Sequence, residues 1–230
     1  MNPNPDSSFG REVYDLSFIY TYRCDLECPF CMYNSSPRIV KTLDINKLKT
    51  FLNTVNFNLI RSFGFYGGEI FVDLNGYSII LDLLPNHIQK WCITNGTWSK
   101  NKNDTLKFLS WGKKYRIDPI VVSSTKEHIK YQDRECLIKL SEEKLIQLKD
   151  PNEKWIPMGR LSNTKLTCHL KCETDKRPTR IAITPDETII FQTCDGSYPV
   201  IGNISESFDN IHNKIQIHQC WKTCPFWRLG

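Results

Sequence analysis

The sequence predicts an α/β protein built on a partial (β/α) barrel, on three observations. Strand-like and helix-like segments alternate along its first two thirds, the pattern of a parallel sheet with crossover helices. A closed eight-unit barrel needs about 250 residues, whereas roughly 150 carry the alternation here, enough for about five or six units and an open side. Glycine and polar residues follow the predicted strands, at the ends where such sheets place their sites.

Each element has a local reason. The first ten residues, rich in Asn, Pro and Ser, read as a tail, assigned to residues 1–12. Asp15 to Tyr22 is apolar and aromatic, as a buried strand is. Asp44 to Phe57 has its apolar residues at helical spacing behind a capping Asp44. A strand at Ser62–Tyr66, a helix near Tyr77–Leu84, a strand at Lys90–Thr94 and a helix over Asp104–Tyr115 follow. Next come a strand at Pro119–Ser124, a helix around Ser141–Lys149 and a last strand before Pro157. The texture then becomes Cys-rich and hairpin-like, which divides the chain into a core at 13–164 and a small module at 165–230.

Of the 230 residues, 40% are hydrophobic and 12% aromatic, sufficient for a large core and contrary to disorder or a fibrous repeat. The net charge of +5 comes from scattered lysines rather than one basic run, so no nucleic-acid partner is indicated. No apolar run reaches the ~20 residues of a membrane span, and the N-terminal stretch lacks a signal-peptide pattern. A cytoplasmic protein is expected. Ten cysteines are then too many for packing alone, and in a reducing compartment clustered thiols read as metal ligands or catalytic groups.

Cys24, Cys28 and Cys31 stand in RCDLECPFCMYN, directly after the first predicted strand. Structural zinc takes four ligands, commonly as two pairs, while a trio suits a [4Fe–4S] cluster with one iron open; a zinc knuckle borrowing a distant fourth ligand is the alternative. CDLECPFC resembles the CX3CX2C signature of the radical S-adenosylmethionine (SAM) superfamily, and Phe30 is the aromatic before its last cysteine. That resemblance implies that the three thiolates hold the cluster and the open iron chelates SAM. Reductive cleavage then gives a 5′-deoxyadenosyl radical that abstracts hydrogen from a substrate. FGFYGGEI resembles the family's GGE motif, with Gly67 and Gly68 allowing close backbone approach and Glu69 accepting from the SAM ammonium. Thr94, Asn95 and Gly96 end the third strand, Ser123 and Ser124 the fourth, and Gly159 and Arg160 resemble a late-strand segment of the family. Asn95, Ser123 and Arg160 are thereby SAM-binding candidates, though each of these strand ends also reads as a plain turn.

Beyond Arg160, IAITPDETIIFQTCDG has the pattern of a β-hairpin turning at Pro185-Asp186, followed by Gly202-Asn203-Ile204 and a closing pair, Cys220 and Cys224. This resembles the twitch (shortened SPASM) module, a small Cys-rich hairpin plus helix that carries an auxiliary [4Fe–4S] cluster. The resemblance implies Cys172, Cys194, Cys220 and Cys224 as ligands, with Cys168 the alternative to Cys172 and zinc the alternative metal. Glu187 stands where the family usually has Gly, and the final pair is spaced by three residues rather than two. Cys168 or Cys136 is a candidate hydrogen-atom donor, the plainer reading being an incidental thiol. Cys92 reads as core, and no histidine is given a role.

The expectation is thus a two-cluster radical SAM enzyme acting on a small molecule or peptide, fed by an electron donor such as flavodoxin or ferredoxin. Dehydrogenation with the second cluster as electron acceptor leads; epimerisation and peptide crosslinking are alternatives. A non-catalytic electron-transfer or zinc protein is the reading from another class.

Overall fold

The computed structural model describes residues 13–149, 179–192 and 199–217. Among these residues, eight strands form one open sheet: β1 (Tyr14–Phe18), β2 (Ile60–Phe65), β3 (Gln89–Thr94), β4 (Ile117–Val122), β5 (Gln147–Leu148), β6 (Thr179–Ile183), β7 (Thr188–Gln192) and β8 (Val200–Asn203). Their order is β5-β4-β3-β2-β1-β6-β7-β8. β1 to β5 pair in parallel, β6 joins β1 in parallel, and β6, β7 and β8 are antiparallel. The open α/β sheet expected from the sequence is therefore present.

Among the described residues, six α-helices cross between strands or close the sheet: α1 (Ile45–Leu52), α2 (Leu74–Asp82), α3 (Lys102–Tyr115), α4 (Lys126–Ile129), α5 (Arg134–Glu142) and α6 (Phe208–Ile217). Their starts are chemically marked. Asp44 accepts from the backbone N–H of Asn46 and Lys47, Asp73 from Gly76, and Asn101 from Asn103 and Asp104, each satisfying donors that a helix start leaves open. Leu48, Phe51 and Leu52 on α1, Tyr77 and Ile80 on α2, and Phe108 and Trp111 on α3 join alternate strand residues Tyr14, Leu16, Phe18, Phe63 and Phe65 in one cluster. Cys92 lies within it, fully buried, as expected of a core residue.

On the opposite face of β1, alternation places Asp15 and Ser17. Asp15 is 2% exposed and accepts two bonds from the guanidinium of Arg61 (3.0 and 2.7 Å) and one from Ser62 Oγ (2.6 Å). Trp91 Nε1 donates to the same Ser62 oxygen, and Tyr33, Tyr66 and Trp91 form a ladder of stacked rings.

The structure corrects the end of the alternation. The helix expected around Ser141–Lys149 is instead α5, which starts seven residues earlier because Asp133 caps it, accepting from Cys136 N–H (3.0 Å). It ends at Glu142, just before Lys144 takes a left-handed φ of 60°, and 147–148 then pair with β4. The strand expected before Pro157 lies outside the described residues.

The hairpin is where the sequence puts it, β6–β7 turning through Pro185-Asp186, but β6 hydrogen-bonds to β1, so the sheet runs on across the boundary placed at 165. Glu187 sits at φ 63°, the left-handed conformation that explains a glycine preference there, and its carboxylate pairs with Lys47 (2.8 Å). Helix α6 then returns to β1, where Tyr14 meets Phe208 edge-on and its hydroxyl meets His212 Nδ1 (2.6 Å).

Candidate active site

The C-terminal ends of β1, β2, β3 and β4 lie side by side, and the segments after them form one hydrogen-bonded group. After β1 the chain makes a long loop that carries Cys24, Cys28 and Cys31. Its limbs are pinned by bridges between Thr21 and Thr42 and between Arg23 and Ser36, and by Thr21 Oγ1 donating to Lys41 O (2.9 Å). Within it, Cys31 N–H bonds to Cys28 O (3.1 Å) and Asn34 N–H to Cys31 O (3.3 Å), successive turns in place of a helix. The hairpin turn docks on the same loop: Tyr22 Oη donates to Asp186 (3.1 Å), which also pairs with Lys41.

After β2, Gly67 adopts φ 131°, and a Cβ on Gly68 would meet the carbonyl oxygen of Arg23. The close approach these glycines permit is to the chain's own cysteine loop. Gly68 N–H donates to Thr21 O and Glu69 N–H to Arg23 O, both at 2.9 Å. Glu69 is 1% exposed and its carboxylate accepts three bonds, from Phe71 N–H (3.1 Å), Thr94 Oγ1 (2.6 Å) and Asn95 N–H (2.7 Å). It clamps the end of β2 to the end of β3.

Asn95 carries the connection on. Its Nδ2 donates to Asp25 Oδ1 (2.6 Å) and approaches Cys24 Sγ (3.7 Å), while its backbone carbonyl accepts from Gln132 Nε2 (2.6 Å). Gln132 Nε2 also donates to Ser123 O (2.6 Å), tying β3 to β4, and Ser123 N–H donates to Thr94 O (2.9 Å). Ser124 is buried against Arg134 Nη1 (3.3 Å). Neither Gln132 nor His128 stands in a motif, so sequence reasoning passed over both. His128 lies on α4 with Nε2 3.6 Å from Cys28 Sγ, Nδ1 2.9 Å from Thr125 Oγ1 and its ring edge-on to Phe30 (5.7 Å between centroids).

Charge at the site is set by burial. Burial, with the Asp25 charge adding, pushes the Glu69 carboxyl up to about 7 against its three donors. Burial pulls the His128 imidazole down to about 4, against the attraction of Asp25 and Glu127, so it is neutral near pH 7. Burial and then the Glu69 charge raise the Cys24 thiol, opposed by the N–H of Leu26.

Among the described residues no three His, Cys, Asp or Glu side chains converge as a metal site. The cysteine loop nevertheless offers three thiols, and two sulfurs accept backbone N–H groups, Cys24 from Leu26 (3.4 Å) and Cys31 from Ser35 (3.3 Å). Such bonds suit thiolate ligands, and a cationic metal offsets the burial and the neighbouring negative charge that raise the Cys24 thiol. The donor set fits an iron–sulfur cluster.

Cys136 is on α5, packed against the main core cluster. Arg160 and Cys168, Cys172, Cys194, Cys220 and Cys224 lie outside the described residues.

Glu69 yields a pH prediction. Its carboxyl titrates near 7 when folded against an ordinary 4.5, so its contribution to stability is fully present below 4.5 and is lost as pH rises through 7. The stability of the metal-free chain relative to Glu69→Gln should fall by up to roughly 3 kcal/mol from about pH 5 to about pH 8. Urea unfolding at both pH values checks this; a constant difference contradicts it.

Fold and site together define a class of architecture, the open and mostly parallel α/β sheet with its chemistry on loops at the strand ends. Among solved structures the chain is similar to BtrN, determined in complex with AdoMet and 2-DOIA, with TM-score 0.65, 16% identity, and 94% of this chain and 88% of that one covered. A looser likeness is to a histidine-tagged anSMEcpe with bound AdoMet, with TM-score 0.48, 15% identity and coverage of 94% and 84%. In sequence it is 33% identical over 88 residues to the antilisterial bacteriocin subtilosin biosynthesis protein AlbA of Bacillus subtilis (strain 168). That stretch is 38% of this chain and only 19% of AlbA. No protein-family model matches. Among the described residues no helix is long and apolar enough to cross a membrane.

Proposed function

We propose that the chain is a radical SAM enzyme whose Cys24, Cys28 and Cys31 hold a [4Fe–4S] cluster. The observation that carries this is the bonding of four strand-end segments into one site around the cysteine loop, through Glu69, Asn95 and Gln132. When bound, the cluster supplies the electron that splits SAM to methionine and the 5′-deoxyadenosyl radical.

The chain's own residues fix the geometry. Glu69 and Asn95 hold the β2 and β3 ends against the loop, and by the resemblance both also contact SAM, Glu69 by accepting from its ammonium. Phe30 offers an aromatic wall beside Cys28, and Ser123 a half-exposed hydroxyl at the end of the sheet, for the nucleoside and amino-acid parts of SAM. The Gly67-Gly68 backbone forms the neighbouring rim. Arg160 completes the SAM-binding set by resemblance to the family.

Cys172, Cys194, Cys220 and Cys224 are proposed to hold a second [4Fe–4S] cluster, with Cys168 as the alternative to Cys172. The support is the β6–β7 hairpin ahead of Cys194, with its turn docked on the cysteine loop. A second cluster would give the substrate radical an electron acceptor, so oxidation by dehydrogenation is the reading we favour. The substrate is a small molecule or a peptide. BtrN was solved with 2-DOIA and AlbA is named for bacteriocin biosynthesis, so the likenesses favour neither. Flavodoxin or ferredoxin is the class of electron donor.

The test is anaerobic reconstitution followed by incubation with SAM and a low-potential reductant. About eight irons per chain with matching sulfide, and formation of 5′-deoxyadenosine, are expected. About four irons would remove the second cluster. A fully loaded chain that makes no 5′-deoxyadenosine would instead be an electron-transfer protein, and zinc at both sites would sink the radical mechanism.

A further inference from the structure

The described residues offer three features outside the motifs: the Asp15–Arg61–Ser62 group, the Tyr33–Tyr66–Trp91 ladder, and His128. The first two have their polar or aromatic surfaces taken up by one another. His128 is different, because it reaches from the end of β4 onto a proposed ligand.

We propose that His128 is a positioning residue that donates its Nε2 proton to the Sγ of Cys28 and so sets the reduction potential of the cluster; this rests on the reading of the cysteine trio as its ligands. Thr125 is placed to support the tautomer this needs. As N-cap of α4, its Oγ1 accepts from the backbone N–H of His128 (3.4 Å). Its hydroxyl proton can then be donated to Nδ1, 2.9 Å away. With Nδ1 accepting from Thr125, Nε2 carries the hydrogen, the tautomer a ligating thiolate selects because it only accepts. Nε2 faces Cys28 Sγ at 3.6 Å, within reach of an N–H···S bond. Phe30, two residues after Cys28, meets the imidazole edge-on at 82° and limits its swing.

A donor to a ligand sulfur withdraws electron density and favours the reduced cluster, one of the means by which a protein sets such potentials. The same bond holds the middle of the cysteine loop against the end of β4, a strand that carries no ligand of its own. This links Thr125, His128 and Cys28 in one relay from helix cap to sulfur.

The experiment is a redox titration of the reconstituted cluster, followed by electron paramagnetic resonance, in wild type and three full-length variants. To report this cluster alone, all carry Cys194→Ala and Cys220→Ala. His128→Phe keeps the ring contact with Phe30 and removes the donor; its potential should be more negative than wild type. His128→Gln retains an N–H near the Nε2 position and should restore most of the shift. Thr125→Val frees the tautomer and should shift the potential in the same direction as His128→Phe, by less. If His128→Phe takes up no iron, the Thr125→Val comparison decides. Potentials equal to wild type in the variants that load overturn the proposal while leaving the cluster reading intact. A parent chain that binds no iron or sulfide at the trio overturns the reading itself.

Discussion

Replacing Gly68 with alanine should destabilise the metal-free chain by roughly 2–4 kcal/mol and lower its unfolding temperature by about 5–15 °C. The new Cβ would collide with the carbonyl oxygen and carbon of Arg23 and crowd the carbonyl of Thr21. These are backbone atoms in the cysteine loop, so no rotamer change relieves the clash. Relief requires the loop to lift from β2, which breaks the bonds from Gly68 N–H to Thr21 O and from Glu69 N–H to Arg23 O. Thermal unfolding with Gly76→Ala as a comparison separates this from a general loss of packing, since at Gly76 the obstacle is the Tyr20 side chain. The lifted loop should also take up less iron. A Gly68→Ala chain with wild-type stability and loading would show that the clasp is not needed.

The legible parts of this fold are those whose cause is local. β1 to β4 and α1 to α3 announce themselves through apolar runs, helical spacing and caps such as Asp44, because each is decided by residues within a few positions of one another. What the sequence could not display was pairing. β6 joins β1 across more than a hundred and fifty residues, and the hairpin reads the same whether it stands apart or extends the core sheet. The helix around 134–142 was misplaced because the run that follows, SEEKLIQLK, is itself a good helix former, and a left-handed residue at Lys144 overrides that propensity.

The site divides in the same way. The cysteine trio, the glycines and the polar strand ends carry recognisable spacing, and the sheet places them together. The roles of Glu69, Gln132 and His128 depend on which atoms a folded chain brings into contact, and a lone Gln or His gives no sign of that in sequence. Glu69 reads in sequence as a ligand-facing acid, and the sequence shows no sign of the three protein donors it also has.

Changing Cys24, Cys28 and Cys31 together to alanine should remove about four irons per chain and reduce 5′-deoxyadenosine formation to background. The fold should survive. The three thiols are half-exposed on a loop, outside the buried core; their sulfurs take bonds from Leu26, His128 and Ser35, but the backbone bonds through Thr21, Arg23, Gly68 and Glu69 remain when sulfur is removed. Unfolding of the metal-free variant should therefore stay within about 5 °C of metal-free wild type. The partner experiment changes Cys194 and Cys220, and its expected result differs in kind: about four irons remain, and SAM is still cleaved, because the trio is untouched. Turnover of a substrate that must lose an electron should fail in that second variant, since the acceptor is gone while the radical source persists. If the trio variant keeps all its iron, the ligands lie elsewhere in the chain. If it loses iron and still cleaves SAM, the catalytic cluster is the C-terminal one, and the clamp built by Glu69, Asn95 and Gln132 would then hold a loop with no part in the chemistry.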